Sequence, residues 1–158
     1  MLFRLSGDYD LAQDLAQEVF LIAYREYSKF RGEADFFTWL YRIAVNHHRR
    51  HLRKQKVRSF FGLGERMPEE EVSDPRALER MENIEKRSQD KIIRQTVAGL
   101  PVEFKETVVL YYFEDQTCDD IAKILNCSPG TVKSRLWRGR RILAQKLNGL
   151  NAANNQGG

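Results

Sequence analysis

Lys133, Ser134, Trp137, Arg138 and Arg141 lie close together near the C-terminal end of the chain. On a helix advancing about 100° per residue they gather, with Gly130, on one side. Cations, a hydroxyl and an indole on one surface suit a polyanion that carries flat bases. The cations bond phosphates and base edges, while the indole lies against sugar or a thymine methyl. Ser128 to Arg141 holds five cations and no anion. Gly130 and Thr131, at the start of the same helix, are expected to leave backbone N–H groups open to a phosphate, favoured by the helix dipole. The plainer alternatives are a solvated cationic face and a tryptophan half-covered by its long neighbours. They would also have to explain the missing acids and an indole set away from the apolar stripe.

A second constellation precedes it. Trp39, Arg42, Asn46, Arg49 and Arg50 share one side of a helix predicted over Phe36 to Arg58. An aromatic ring, an amide and arginines together suit unpaired or distorted DNA, because bases stack on the ring while cations hold the backbone. The alternative is that Trp39 belongs to the core. The run "HHRRH" raises a metal reading, since His47 and His51 lie four residues apart. No carboxylate or thiolate is near in sequence, however, and Arg49, Arg50 and Arg53 would repel a cation. His47 is expected to pack under the helix, with His48 and His51 meeting solvent or phosphate. No metal and no cofactor is predicted.

These groups need helices to hold them. Strand-type alternation is nowhere sustained, so the prediction is an all-α protein of two small helical domains joined by a flexible linker. A first helix is predicted from near Asp10, with Leu11, Leu15, Val19 and Ile22 as its core stripe. Phe20, Leu21 and Tyr24 fall on its far side, near Asp14 and Gln17, a surplus that another helix or a partner must cover. A second helix starts at the N-cap Asp35, with Phe36, Leu40, Ile43 and Ala44 facing the core. Residues 59–75 read as linker, rich in glycine, proline and glutamate. A third helix follows over about 76–98, ended by Gly99 in the left-handed conformation. Pro101 opens a fourth, with Phe104, Val108 and Tyr112 on one side. Thr117 and Asp120 form a capping-box pattern before "CDDIAKIL". The turn "NCS" then leads to the N-cap Ser128 and Pro129. Val132, Leu136, Gly139 and Leu143 form the core stripe of the last helix. Short helix, tight turn and longer basic helix make the helix-turn-helix plan.

Charge is distributed in blocks. The formal net charge is +4 over 158 residues. Tyr41 to Arg58 carries seven Lys/Arg and no acid, and so does Ile121 to the C-terminus; Glu65 to Asp90 carries nine acids against five bases. The apolar runs are too short for a membrane span. Cys118 and Cys127 read as small packing residues of a reduced cytoplasmic protein rather than a disulfide framework.

The segment "DYDLAQDLAQEVFLIAYREYSKFRGEADFFTWLYRIAVNHHRRHLRK" resembles region 2 of extracytoplasmic-function sigma factors. The segment "LPVEFKETVVLYYFEDQTCDDIAKILNCSPGTVKSRLWRGRRIL" resembles their region 4, with the sigma-E type the nearest likeness. The resemblance implies region 2 over residues 1–58 and region 4 over 76–150, on either side of the linker read over 59–75; the polar tail over 151–158 is expected to be disordered. It implies a transcription-initiation subunit that binds core RNA polymerase, directs it to promoter DNA and helps open the duplex. An anti-sigma partner is implied too, with a role in a stress response. The polymerase-binding residues it implies are Asp14, Gln17, Glu18 and Leu21. For the downstream element and melting it implies Trp39, Asn46, His47, His48, Arg49, Arg50 and Arg53. For the upstream element, read in the major groove, it implies Lys133, Ser134, Trp137 and Arg138, with Thr131 and Arg141 at the backbone. Family members usually carry a further helix before the position of Met1. A region-2 bundle without it is expected to leave Leu11, Leu15 and Ile22 short of packing.

No nucleophile–base constellation, phosphate-gripping loop or metal cluster occurs in the sequence, so no enzymatic activity is expected. Two other readings stay open. A helix-turn-helix regulator that never joins polymerase would leave "DLAQDLAQEVF" and "FFTWLYRIAVN" without a purpose. A nucleic-acid-processing enzyme would need acidic metal ligands beside the basic blocks.

Overall fold

The structure, a computed structural model, describes residues 1–61 and 92–155. The described residues hold helices and no strand. The helices are α1 (Leu2–Ser6), α2 (Tyr9–Glu26), α3 (Phe36–Phe60), α4 (residues 92–98), α5 (Val102–Tyr112), α6 (Cys118–Leu125) and α7 (Pro129–Asn155). Two compact units are formed. One contains α2 and α3; the other contains α4 to α7 together with Met1 and Phe3–Leu5.

In the first unit α2 and α3 pack on each other. Asp8 caps α2 through a bond from the Leu11 amide to its carboxylate, 2.9 Å. Gly7 precedes the cap at φ +77°, a conformation glycine enters without steric cost. Ala12, Leu15, Val19 and Ala23 are the buried residues of α2. The predicted stripe was Leu11, Leu15, Val19 and Ile22. Leu15 and Val19 keep that role, while Leu11 and Ile22 are only half-buried and two alanines take their share. A 3-10 turn (Tyr27–Lys29) and a bend at Gly32 lead to Asp35, whose carboxylate accepts from the Phe37 amide at 2.8 Å. The cap is where the sequence put it.

The core face of α3 differs from the expected one. Thr38, Ala44, Val45 and His48 are buried; Leu40 and Ile43 are half-buried and Phe36 is exposed. Phe36 instead joins Phe30 and Trp39 in an aromatic cluster, with ring centroids 5.2 to 5.9 Å apart. Edge-to-face and tilted ring contacts hold such clusters without full burial. Ser59 and Phe60 continue α3 rather than opening the linker, and residues 62–75 lie outside the described residues. So does 76–91 of the predicted third helix.

The second unit is built on α5, α6 and α7. α5 packs on α7 and α6, and α6 on α7. Val108, Val109 and Leu110 of α5, Ile121 and Ile124 of α6 and Val132 of α7 are almost wholly buried. Of Phe104, Val108 and Tyr112, expected on one side of α5, Val108 is buried, Phe104 half-buried and Tyr112 exposed. Gly99 is not left-handed: its amide bonds the Gln95 carbonyl at 3.0 Å in the ordinary helical sense. Pro101 sits at the N-cap of α5, one residue before its first turn. Lys105 is half-buried, which lowers its ammonium pKa from the ordinary lysine value; the adjacent Glu106 carboxylate opposes that shift.

α6 is capped as predicted. The Asp120 amide donates to the Thr117 hydroxyl oxygen at 3.2 Å, and that hydroxyl donates to the Asp120 carboxylate. Asn126 ends α6 at φ 52°, the left-handed conformation that asparagine tolerates better than most residues. Ser128 then starts α7 by accepting from the Thr131 amide at 3.1 Å. α7 continues to Asn155, so residues 151–155 are helical where a disordered tail was expected. Ala152 and Ala153 are strong helix formers, which favours continuation of a helix already nucleated.

Candidate nucleic-acid interface

α7 carries the opening constellation. Val132 and Leu136 are buried and fix one side of the helix against the core. Gly139 allows the close approach to α5: a Cβ there would come within 2.9 Å of a Val108 methyl. With that side fixed, Lys133, Ser134, Trp137, Arg138 and Arg141 are all exposed, and Thr131 is half-buried. Trp137 is 57 % exposed, far from the core position tryptophan usually takes. The Arg141 guanidinium lies over its ring, 5.6 Å from the centroid, a cation–π distance that holds both groups at the surface. Beside them a cleft of about 330 Å³ is lined by Phe104, Trp137, Arg138, Arg141, Ile142 and Gln145. The helix start differs from expectation in one respect. The Thr131 amide is occupied by Ser128, so it is not open to a phosphate as the sequence reading supposed.

α3 carries the second constellation. Asn46, Arg50 and Arg53 are exposed, Arg49 is half-buried, and Arg42 joins them on the exposed side. Trp39 is half-buried against Phe30 and Phe36, midway between the stacking plate and the core residue that the sequence left open. His48 is corrected. It is only 2 % exposed and belongs to the face of α3 that packs inward, so it does not meet solvent or phosphate. The cause is periodicity: His48 follows Ala44 and Val45 at four and three residues, on the buried side. His47 is half-buried, and its Nε2–H donates to the Glu18 carboxylate of α2, 2.5 Å away. Residues 29 apart in sequence carry no pattern that would have announced this pair. The stripe also extends further than sequence reasoning took it. Phe60, expected in the linker, lies on the same helix as Val57, and both are exposed.

On α2, Asp14, Gln17, Glu18 and Leu21 are exposed. Phe20, Leu21 and Tyr24 are exposed at 64 %, 56 % and 84 %, so the surplus apolar face is present at the surface. Cys118 and Cys127 are free thiols. Among the described residues no group of His, Cys, Asp and Glu could hold a metal, and no helix is long and apolar enough to cross a membrane.

A helix-turn-helix with an exposed basic and aromatic face, and a separate unit with a second basic stripe, have counterparts among known proteins. Residues 1–58 match the family described as Sigma-70 region 2, and residues 90–143 match that described as Sigma-70, region 4. Together the two matches define a sigma-70-type transcription-initiation factor. The RNA polymerase sigma-H factor of Pseudomonas aeruginosa is 35 % identical over 162 residues, covering 95 % of this chain and 80 % of that protein. The ECF RNA polymerase sigma-E factor of Escherichia coli is 34 % identical over 149 residues, covering 92 % and 76 %. The chain therefore belongs to the extracytoplasmic-function (ECF) sigma factors of RNA polymerase, which initiate transcription and are not enzymes. The fold also matches that of sigma factor RpoE in complex with the anti-sigma factor NepR from Bartonella quintana. The TM-score is 0.73 at 23 % identity, over 93 % of this chain and 87 % of that one. CnrH in complex with the cytosolic domain of CnrY matches with a TM-score of 0.60 at 20 % identity, over 87 % and 71 %.

Proposed function

We propose that the chain carries core RNA polymerase to promoters by dividing three tasks among three helix faces. The exposed face of α2, with Asp14, Gln17, Glu18 and Leu21, docks on the polymerase. The α3 stripe, with Trp39, Asn46, His47, Arg49, Arg50 and Arg53, holds the downstream element once its strands separate. α7 enters the major groove of the upstream element with Lys133, Ser134, Trp137 and Arg138, while Thr131 and Arg141 support the backbone. His48, being buried, contributes by packing the stripe in place rather than by touching DNA.

One observation carries this reading: Lys133, Ser134, Trp137, Arg138 and Arg141 are all exposed on α7, with an indole 57 % exposed among cations and no acid after Ile121. A core helix would hide the ring, and a merely solvated one would not need it. Opening is favoured if the α3 stripe binds separated strands better than duplex, since only a difference in affinity between two states shifts their balance. The polymerase performs the chemistry. We further propose anti-sigma control, exerted in the cytoplasm through the surface of Phe20, Leu21 and Tyr24. Anti-sigma complexes of two proteins of the same fold support it, as does the exposed apolar surface itself.

The test is run-off transcription by core polymerase on a promoter library, with and without the full chain. Promoter-selective transcripts are expected only with the chain, and a Leu21→Asp variant is expected to lose them through weakened assembly. A wild-type chain that leaves core polymerase unselective would overturn the proposal. Binding of a defined DNA without any association with polymerase would point to an ordinary helix-turn-helix regulator instead.

A further inference from the structure

The exposed stripe of α3 does not end at Arg53. At about 100° per residue, Trp39, Arg53, Val57 and Phe60 all fall within about 40° of Asn46. Phe60 is 85 % exposed and Phe61, which caps the helix, 68 %. Their rings meet edge to face, centroids 5.5 Å apart and planes at 88°. Arg53, Lys54, Lys56 and Arg58 around them are exposed, and no acid occurs from Tyr41 to Phe61. Two bare phenyl rings on a polar helix end are costly in water unless something covers them at some stage of the working cycle.

We propose that Phe60 and Phe61 form a base-stacking site for unpaired DNA, at the opposite end of α3 from Trp39. This rests on the reading of α3 as the strand-holding helix. An edge-to-face pair uses one ring's edge and one ring's face, which leaves ring surface open for a base. The flanking cations supply the phosphate contacts that stacking platforms for single strands combine with aromatic rings. An apolar protein surface would cover the rings equally well but has no use for four cations beside them. Charge complementarity therefore favours a polyanion. The span fits as well. Asn46 to Phe60 is fourteen residues, about 21 Å along the helix. That is about six steps at the 3.4 Å rise of one duplex strand, and fewer for an extended one. A strand anchored near Asn46 thus reaches the phenyl pair in about six nucleotides or fewer. Duplex bases are hidden in their own stack, so the pair would favour opened over closed DNA.

The test uses holoenzyme assembled from the full chain and core polymerase. Its probes are one promoter template as closed duplex and as a fork whose non-template strand is unpaired. Phe60→Ala/Phe61→Ala is expected to weaken fork binding by about fivefold to a hundredfold, the range for losing one stacked base. Duplex binding and assembly with polymerase should stay within twofold, and Phe60→Tyr/Phe61→Tyr should restore fork binding. Both rings are exposed, so these variants keep the fold. Unchanged fork binding, equal weakening on duplex and fork, or weakened assembly in the absence of DNA would each overturn the site. Failure of the wider reading looks different, because the wild-type holoenzyme would then direct no promoter-selective transcription. In that event the full chain alone, at low salt, is irradiated with a short mixed-sequence single strand carrying iododeoxyuridine. Crosslinks on Phe60 or Phe61 support the site, and crosslinks confined to other residues overturn it.

Discussion

α7 and α3 are both basic helices that carry a tryptophan and a run free of acids, yet they are anchored differently. α7 lies across two helices, α5 and α6. Its inward residues are Val132, Leu136 and Gly139, small or branched, at the spacing of a single stripe. α3 packs on α2. Its inward residues include Thr38 and His48, while Phe36 stays outside. With two neighbours, most apolar positions find a place, and the opposite face is fixed with them. Among the described residues α3 has α2 as its main packing neighbour, so there is less room inside and large rings gather among themselves, as Phe30, Phe36 and Trp39 do. A helical wheel therefore reads the outer face of α7 correctly and misassigns part of α3.

The sharpest test of this contrast is Gly139→Leu. The new side chain would enter space held by Val108 and Phe104, with its Cβ already within 2.9 Å of a Val108 methyl. We expect a loss of about 3 kcal/mol from the helix-turn-helix unit, at the upper end of overpacking costs. Urea unfolding followed by hydrogen exchange, which resolves the two units, would measure it. A variant as stable as wild type would show that α7 is less tightly held than its burial implies.

Next come the two tryptophans. Trp39→Ala removes ring contacts with Phe30 and Phe36 from a half-buried position. It is expected to cost about 2 kcal/mol, part of it from the lost aromatic pairs. Trp137→Ala is expected to change stability by less than about 0.5 kcal/mol, as exposed substitutions do, while lowering affinity for the upstream element. Thermal unfolding and promoter binding, measured on both variants, would separate the cases. Equal stability losses would erase the distinction between them.

The same contrast explains what the sequence could convey. Caps are local, so Asp35, Thr117 and Ser128 were identified from neighbouring residues alone. The all-helical class and the family's two regions followed from patterns that stay within each segment. Packing choices are not local. Which of Phe36 and Thr38 turns inward is decided by the packing of α3 on α2, whose buried residues include Ala12 and Ala23. The burial of His48, the occupation of the Thr131 amide and the extension of α3 through Phe60 all depend on partners or geometry beyond a one-helix wheel. The helical stripe could have shown the last of these, since Phe60 follows Asn46 by nearly four whole turns.

Caps should make the two helices alike where packing makes them differ. Asp35→Ala and Ser128→Ala each remove a side chain that accepts from a first-turn amide, at 2.8 and 3.1 Å. Each is expected to cost about 1 kcal/mol in its own unit. A much larger loss at Ser128 would mean that the turn before α7 depends on its hydroxyl, which also bonds the Thr131 hydroxyl at 2.9 Å.

A small effect is also expected where α2 meets α3 through Glu18 and His47. The bond is short, but the Glu18 side chain is 61 % exposed while that of His47 is 13 % exposed. Water reaches the carboxylate, so its loss should matter little to folding. Glu18→Gln keeps an oxygen that can accept from His47 and removes the charge. We expect a stability change of about 0.5 kcal/mol or less, shrinking further with added salt. The position of Glu18 gives the variant a second readout, because the same residue stands on the face proposed to meet polymerase. If polymerase assembly weakens while stability holds, Glu18 acts at that interface directly. If stability falls by well over 1 kcal/mol and assembly falls only in proportion, the carboxylate instead serves to seat α3 on α2. α3 would then depend on a polar contact for the anchoring that α7 obtains from buried Val132 and Leu136.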